Sequence, residues 1–198
     1  MMQDRKTLRR QLRQQRNALT PRQQKIAAAQ ALRYLGRQLW FRRARHIALY
    51  LPNDGELDTA PIIDLCRSQG KHLYLPVLHP VRHNRLWFTP YTRRTPMRLN
   101  RYRIAEPIPQ GRPRRPAFAL DLVLMPLVGF SASGGRLGMG GGYYDRTFAY
   151  RMRSKGLRGP KLVGLAHDFQ RRNELPLEPW DVPLDAILTD RCCYRISY

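Results

Sequence analysis

Acidic residues are scarce in this chain. Its 198 residues include 14 Asp and Glu against 36 Lys and Arg, for a formal net charge of +22 and a sequence pI of about 11.2. Lysine is scarce as well. Five of the cations are Lys (Lys6, Lys25, Lys71, Lys155 and Lys161) and the other 31 are Arg. A GC-rich coding sequence produces such a skew, so part of the charge reflects the source rather than function. Cysteine is limited to Cys66, Cys192 and Cys193, an odd number with no Cys-x-x-Cys pair. Adjacent cysteines lack the spacing of a structural zinc site, so reduced thiols are expected. No apolar run approaches the roughly 18 residues that cross a bilayer. The N-terminal stretch has no apolar secretory core. It is Arg-rich and acid-poor like a transit peptide, yet short of Ser and continuous with the fold. A cytoplasmic protein is the expectation. No internal repeat is present.

What the chain does have is enough apolar material for a core: 42% hydrophobic and 10% aromatic residues, over a length that suits one domain, 1–198. The charge by itself points to nucleic acid, an acidic membrane surface or small polyanions. Residues 4–17 read as a basic helix with Leu8 and Leu12 on one side. Thr20-Pro21 is a helix start, and Ala28, Leu32, Leu35 and Leu39 continue an apolar stripe to about residue 39, with Arg22, Lys25, Arg33 and Arg37 as its solvated face. His46–Leu51 is a buried strand ending in the turn Pro52–Gly55. A helix over 59–69 and a strand over 71–77 follow. Residues 80–118 are Pro- and Arg-rich loops with one or two edge strands, 85–89 among them, and 109–116 is a surface loop. Strands at 121–126, 161–166 and 184–188 enclose a helix from about 143 to 155. Alternating strands and helices predict an α/β fold, a mostly parallel sheet covered on both faces, with ligands beyond the carboxyl ends of its strands.

The segment Gly134–Arg146 follows a strand and opens a helix. Its glycines at 138, 140, 141 and 142 allow backbone amides to approach a ligand closely. A helix amino end and Arg136 suit phosphate, and Asp145 adds a carboxylate for Mg²⁺. The P-loop spacing is absent, and the early strand–turn–helix context of the dinucleotide fingerprint is absent too. The plain alternative is a flexible loop with Asp145 capping the helix.

Met125–Phe130 followed by Gly135–Arg146 closely resembles the hallmark segment of the 5-formyltetrahydrofolate cyclo-ligases (methenyltetrahydrofolate synthetases). The resemblance extends over nearly the whole chain, through Leu51–Thr59, Tyr74–Val77, Arg103–Pro107 and Trp180–Leu188. It implies a three-layer α/β/α, Rossmann-like fold of the CoA-transferase-like kind. It also implies a ligase that uses ATP and Mg²⁺ to convert 5-formyltetrahydrofolate into 5,10-methenyltetrahydrofolate, ADP and phosphate. By position, Arg5 or Lys6, Arg9 and the run Arg136, Leu137, Gly138, Met139, Gly140, Gly141, Gly142, Tyr143 and Tyr144 resemble the ATP site, with transition-state stabilisation falling to Arg136. Leu51, Glu56 and Met139–Tyr143 resemble the folate site, and Asp145 and Asp185 the magnesium ligands. A monomer with no membrane partner is implied, and nucleic-acid binding is at most non-specific. The chain departs from the family at Gly141, where many members carry Lys, and at Ser131, where Asp is usual.

The remaining candidates read as structural. His167-Asp168 follows a strand without a nucleophile motif nearby. His46, His72, His79 and His83 lack metal spacing. Tyr144, Phe148 and Arg151 share one helix face and read as packing. Asp185 in an apolar strand is conspicuous, because a buried carboxylate needs a partner or a metal. Two competing readings are a basic RNA-binding protein, with helices 4–39 as its footprint, and a diverged relative with the same fold and phosphate site.

Overall fold

The computed structural model describes residues 4–108, 114–153 and 159–196. Its elements run in chain order α1 (Arg5–Asn17), α2 (Pro21–Gly36), α3 (Leu39–Arg43), β1 (His46–Ala48), α4 (Ala60–Ser68), β2 (His72–Leu78), β3 (Leu86–Pro90), β4 (Met97–Leu99), β5 (Ala105–Pro107), β6 (Leu122–Pro126), β7 (Gly129–Phe130), β8 (Arg136–Leu137), α5 (Tyr143–Phe148), α6 (Tyr150–Arg153), β9 (Lys161–Leu165), β10 (Ala186–Leu188) and β11 (Cys193–Arg195). Seven strands form one mixed sheet in the order β11-β10-β9-β6-β1-β2-β3. The five central strands are parallel, and β3 and β11 pair antiparallel at the two edges. No described helix is long and apolar enough to cross a membrane.

Period-two alternation explains the apolar runs. Ile47, Leu122, Leu124, Val163, Leu165, Ala186 and Leu188 face one layer, where α2, α3 and α4 contribute Ala31, Leu35, Phe41, Ile62 and Cys66. Ala48, Val123, Met125, Leu162 and Ile187 face the other layer, with Phe130 and Phe148. Strands buried on both faces carry almost no polar positions, so they read as continuous runs rather than as alternation. The result is a three-layer α/β fold with β4–β5 and β7–β8 as separate two-stranded hairpins.

Several expected boundaries shift for local reasons. The second helix does not continue to Leu39. It ends at Gly36, and Gln38 starts α3, whose first residue Leu39 is 61% exposed rather than on the apolar stripe. The helix expected over 143–155 breaks at Ala149 into α5 and α6, and its far end lies outside the described residues. Ser131 closes the β7–β8 turn: its hydroxyl accepts the Gly135 N–H at 3.0 Å, a bond an aspartate makes equally well.

The helix α2 is capped reciprocally by Thr20 and Gln23 and docks through Ala27, Ala28, Ala31 and Leu35. Leu35 is fully buried at the centre of the larger cluster. Leu35→Ala should destabilise the fold by about 2–5 kcal/mol, the range for large-to-small core changes. Urea denaturation checks this, and a loss under about 1 kcal/mol would mean that α2 is not anchored there.

Candidate active site

The chain leaves β1 for β2 on one side and later returns, as β6, to the other side of β1. Such a reversal opens a crevice at the carboxyl ends of the two strands. Three segments converge there: α1, the turn after β1 and the glycine loop after β8.

In α1, Arg5, Arg9, Leu12 and Arg16 are spaced four, three and four apart and therefore share one face. Asp4 caps the helix through the Lys6 and Thr7 amides. Leu8 and Leu12 pack with Val128, Leu137 and Leu175. Arg5 pairs with Asp181 at 3.0 Å. Arg9 donates from Nε to the Gly138 carbonyl at 2.7 Å, and its guanidinium carbon is 3.6 Å from where a Gly140 Cβ would stand. Lys6 lies on the exposed side. Arg16 is buried and reaches the turn after β1.

That turn is built on two left-handed residues, Asp54 (φ 52°) and Gly55 (φ 71°). Glycine is required at 55 for space as well as for φ, since a Cβ there would come within 2.8 Å of the Arg16 carbonyl oxygen. The Gly55 carbonyl accepts from Gln24 Nε2 at 2.9 Å and lies 3.3 Å from His167 Nε2. Burial alone would raise the Asp54 carboxyl, but donors from Arg13, Asn17 and Arg16 outweigh it and bring it to about 2. Glu56, next in the chain, behaves oppositely. Burial pushes it from 4.5 to about 7, although Arg16 and the Asn53 N–H favour its charged form. Its Oε2 accepts that N–H at 3.1 Å, and Oε1 is 4.0 Å from Arg16 Nη1. Leu51 is half-buried beside the larger core cluster.

The glycine loop hangs between β8 and α5. Gly140 (φ 98°) and Gly142 (φ 62°) are both left-handed. Gly138 has open space where a side chain would be. At Gly141 a Cβ would come within 2.7 Å of the Tyr143 ring, so a side chain there requires the ring to move. Met139 is exposed at the tip. Arg146 folds back and donates to the Gly141 carbonyl at 2.8 Å. The Tyr143 hydroxyl bonds to Tyr102 at 2.8 Å and to Arg101, at the tip of the β4–β5 hairpin. Tyr144 turns inward, where burial and the nearby Glu56 charge raise its phenol. That proximity brings the loop's helix to the turn after β1. Leu137 is fully buried in the α1 cluster, so its side chain adds nothing to the loop.

Arg136 does not open to solvent. It is 6% exposed, bonds to Asp145 Oδ1 and lies 2.7 Å from Met125 Sδ. Asp145 also takes the Val182 N–H on Oδ1 at 3.1 Å. Both bonds fall on one oxygen, which leaves Oδ2 for a cation. Asp185 is different. Arg151 grips it with two bonds of 3.0 and 2.9 Å, and the Leu162 N–H reaches Oδ2 at 2.6 Å. It lies at the amino ends of β9 and β10 and shares no partner with Asp145. Among the described residues no group of three or more His, Cys, Asp or Glu is disposed to hold a metal. The donor set therefore fits Mg²⁺ carried mainly by phosphate oxygens with Asp145, and does not fit a protein cage that includes Asp185.

The sequence model of the 5-formyltetrahydrofolate cyclo-ligase family matches residues 1–190. A 5-formyltetrahydrofolate cyclo-ligase of Escherichia coli K12 is 42% identical over 178 residues, covering 90% of this chain and 96% of that protein. One from Haemophilus influenzae is 40% identical over 186 residues, covering 94% and 97%. The chain belongs to the 5-formyltetrahydrofolate cyclo-ligase family. Among solved structures, the Aquifex aeolicus 5,10-methenyltetrahydrofolate synthetase superposes with a TM-score of 0.80 at 27% identity, covering 98% of this chain and 93% of that one. The Mycoplasma pneumoniae synthetase gives 0.72 at 26% identity, covering 95% and 99%.

Three residues of the cyclo-ligase crevice escape a motif-based reading. Arg16 carries a signal: it is four residues past Leu12, on the buried stripe, where a cation is out of place. Asp54 carries a weaker one, as one of few acids, in a turn. His167 bonds to Gly55 from the end of β9, 112 residues away in sequence, and no local pattern announces that.

The Glu56 carboxyl makes stability depend on pH in a known direction. Between about 4.5 and about 7 the folded protein keeps a proton that the unfolded chain has released, so stability falls as pH rises through that window. In Glu56→Gln this slope should vanish, and the variant should gain up to ~3 kcal/mol at pH 8 relative to its standing at pH 4.5. Melting curves recorded at several pH values test it, and parallel curves for the two proteins would refute it.

Proposed function

We propose that this protein catalyses the ATP- and Mg²⁺-dependent cyclisation of 5-formyltetrahydrofolate to 5,10-methenyltetrahydrofolate, releasing ADP and phosphate. The observation that carries the reading is the convergence at the β1–β6 reversal. The Glu56 turn and the glycine loop meet there, and α1 touches both through Arg16 and Arg9. A buried carboxyl on one side suits the amide-like edge of a pterin. A cation-flanked loop of bare backbone on the other suits a triphosphate.

The chemistry asks little of the protein in covalent terms. The formyl oxygen attacks the γ-phosphorus, the bond to the bridging oxygen breaks, and ADP departs. The formyl carbon is then an activated electrophile. N10 of the same folate adds to it and gives up its proton. Phosphate leaves with the former formyl oxygen, and the five-membered ring is closed. Orientation of two anions and stabilisation of the transferring phosphoryl group provide the catalysis.

In this reading Glu56 accepts paired N–H donors of the pterin, and Leu51 lines that pocket. Gly140, Gly141 and Gly142 let the backbone approach the phosphates, with Gly138 and Tyr144 flanking them, while Met139 and Tyr143 border the folate. Arg9 neutralises phosphate charge, with Lys6 or Arg5 beside it. When bound, Mg²⁺ would supply charge neutralisation to the phosphates. Asp145 Oδ2 would hold it, and Arg136, through Oδ1, keeps that carboxylate aimed. Asp185 takes no part. The free thiols of Cys66, Cys192 and Cys193 accord with a reducing, cytoplasmic setting.

Purified protein mixed with 5-formyltetrahydrofolate and Mg-ATP should develop the near-ultraviolet absorbance of the methenyl product. No ATP-dependent signal would refute the activity. Asp145→Asn should lower turnover by about 100-fold or more, the scale of losing one charge-stabilising group, in a chain that still folds but melts at a lower temperature, because the buried Arg136 loses its counter-ion. Wild-type turnover would remove Asp145 from the metal site. The exposed pair Arg37→Gln and Arg42→Gln should leave turnover within about twofold, as expected of solvated surface charge.

A further inference from the structure

Arg16 is the largest of the fully buried side chains, at 1% exposed. A guanidinium in that position requires nearly complete pairing. Its Nε donates to the Asp54 carbonyl at 2.6 Å, and Nη2 to Asp54 Oδ2 at 2.6 Å. Nη1 donates to the Leu127 carbonyl at 3.3 Å and faces Glu56 Oε1 at 4.0 Å. One side chain therefore ties the turn after β1 to the chain leaving β6. Asp54 is its direct counter-ion, and Glu56 stands at ion-pair range without a hydrogen bond.

We infer that Arg16 is a positioning residue for the folate half of the site, fixing the Asp54–Glu56 turn and setting the charge that Glu56 presents to the pterin. The inference rests on the reading of Glu56 as the pterin acceptor. The groups facing Glu56 are few. Arg16 comes from α1, Asp54 from its own turn, Tyr50 from the end of β1 and Tyr144 from α5, while His167 holds the neighbouring Gly55 carbonyl. Arg16 is the one cation among them with its charge directed at the carboxyl. Asp54, pressed against the same guanidinium, offsets part of that charge. Loss of Arg16 and loss of Asp54 therefore act on Glu56 in opposite directions, whereas a merely structural brace would loosen the turn either way.

The test is steady-state kinetics of the full chain, with KM measured separately for 5-formyltetrahydrofolate and ATP and with kcat/KM for the folate followed from pH 5 to 9. Arg16→Met should raise the folate KM about 10–100-fold, as loss of a supporting partner does, and leave the ATP KM within about twofold. It should also move the acidic limb of the folate profile to higher pH, and Arg16→Lys should restore part of both. If Arg16→Met fails to fold, Asp54→Asn keeps the cation and should move the acidic limb to lower pH. Equal rises in both KM values, or the same direction of pH shift for the Arg16 and Asp54 variants, would overturn the inference. Glu56→Gln separates the two levels. If it leaves the folate KM unchanged, the pterin reading fails. If it raises that KM while Arg16→Met and Asp54→Asn do not, the role of Arg16 alone fails.

Discussion

A guanidinium leaves water only when nearly all of its donors are met, and the packing of α1 is arranged around that requirement. Arg16 sits on a helix whose other inward residues are Leu8 and Leu12. Its pairing with Asp54 needs the turn after β1 in its left-handed form, and that form needs glycine at 55 because the end of α1 fills the space. Removing one partner of such a buried pair is far more disruptive than the pair's net contribution suggests, since an uncompensated charge remains. The helix, the turn and the exit of β6 are therefore mutually dependent. The crevice between them takes its shape from an ion pair rather than from apolar packing alone.

The scarcity of acids acquires a structural meaning in this light. Several of the few carboxylates are held by arginine: Asp54 by Arg13 and Arg16, Asp145 by Arg136, Asp181 by Arg5, Asp185 by Arg151, and Glu106 by Arg98. Glu56 lacks such a grip, and it is the carboxyl pushed to about 7. The difference is geometric. The other carboxylates receive guanidinium N–H groups at hydrogen-bond range, whereas the nearest cation to Glu56 stands 4.0 Å away. A carboxyl left this way is free to accept donors from a ligand.

The parts of the fold legible in the sequence were those whose signal is local. Strands buried on both faces give apolar runs: β1, β6, β9 and β10 lie within the runs expected for them, and β2 is displaced by one residue, ending at Leu78 rather than at 77. Thr20-Pro21 marked the start of α2 through its cap. The edge strand β11 was missed because Cys193–Arg195 has neither a run nor alternation, only a partner in β10. The glycine segment was legible because its composition has few structural uses. Asp185 invites a metal reading for the converse reason. An isolated acid in an apolar strand needs a partner, and metal and cation satisfy that need equally well on paper. The cation is Arg151, 34 residues earlier, which helical spacing had assigned to packing.

The order in which the chain is made gives α1 a further property. It leaves the ribosome before the sheet it docks on, yet it contacts residues 111, 129 and 176 positions away. Contacts of that separation cannot form until most of the chain exists, and such closures come late in folding. The helix must wait, polar and only marginally stable by itself, for the sheet to be assembled. Its docking completes the crevice, so the competence to hold substrate and the completion of the tertiary structure are one event.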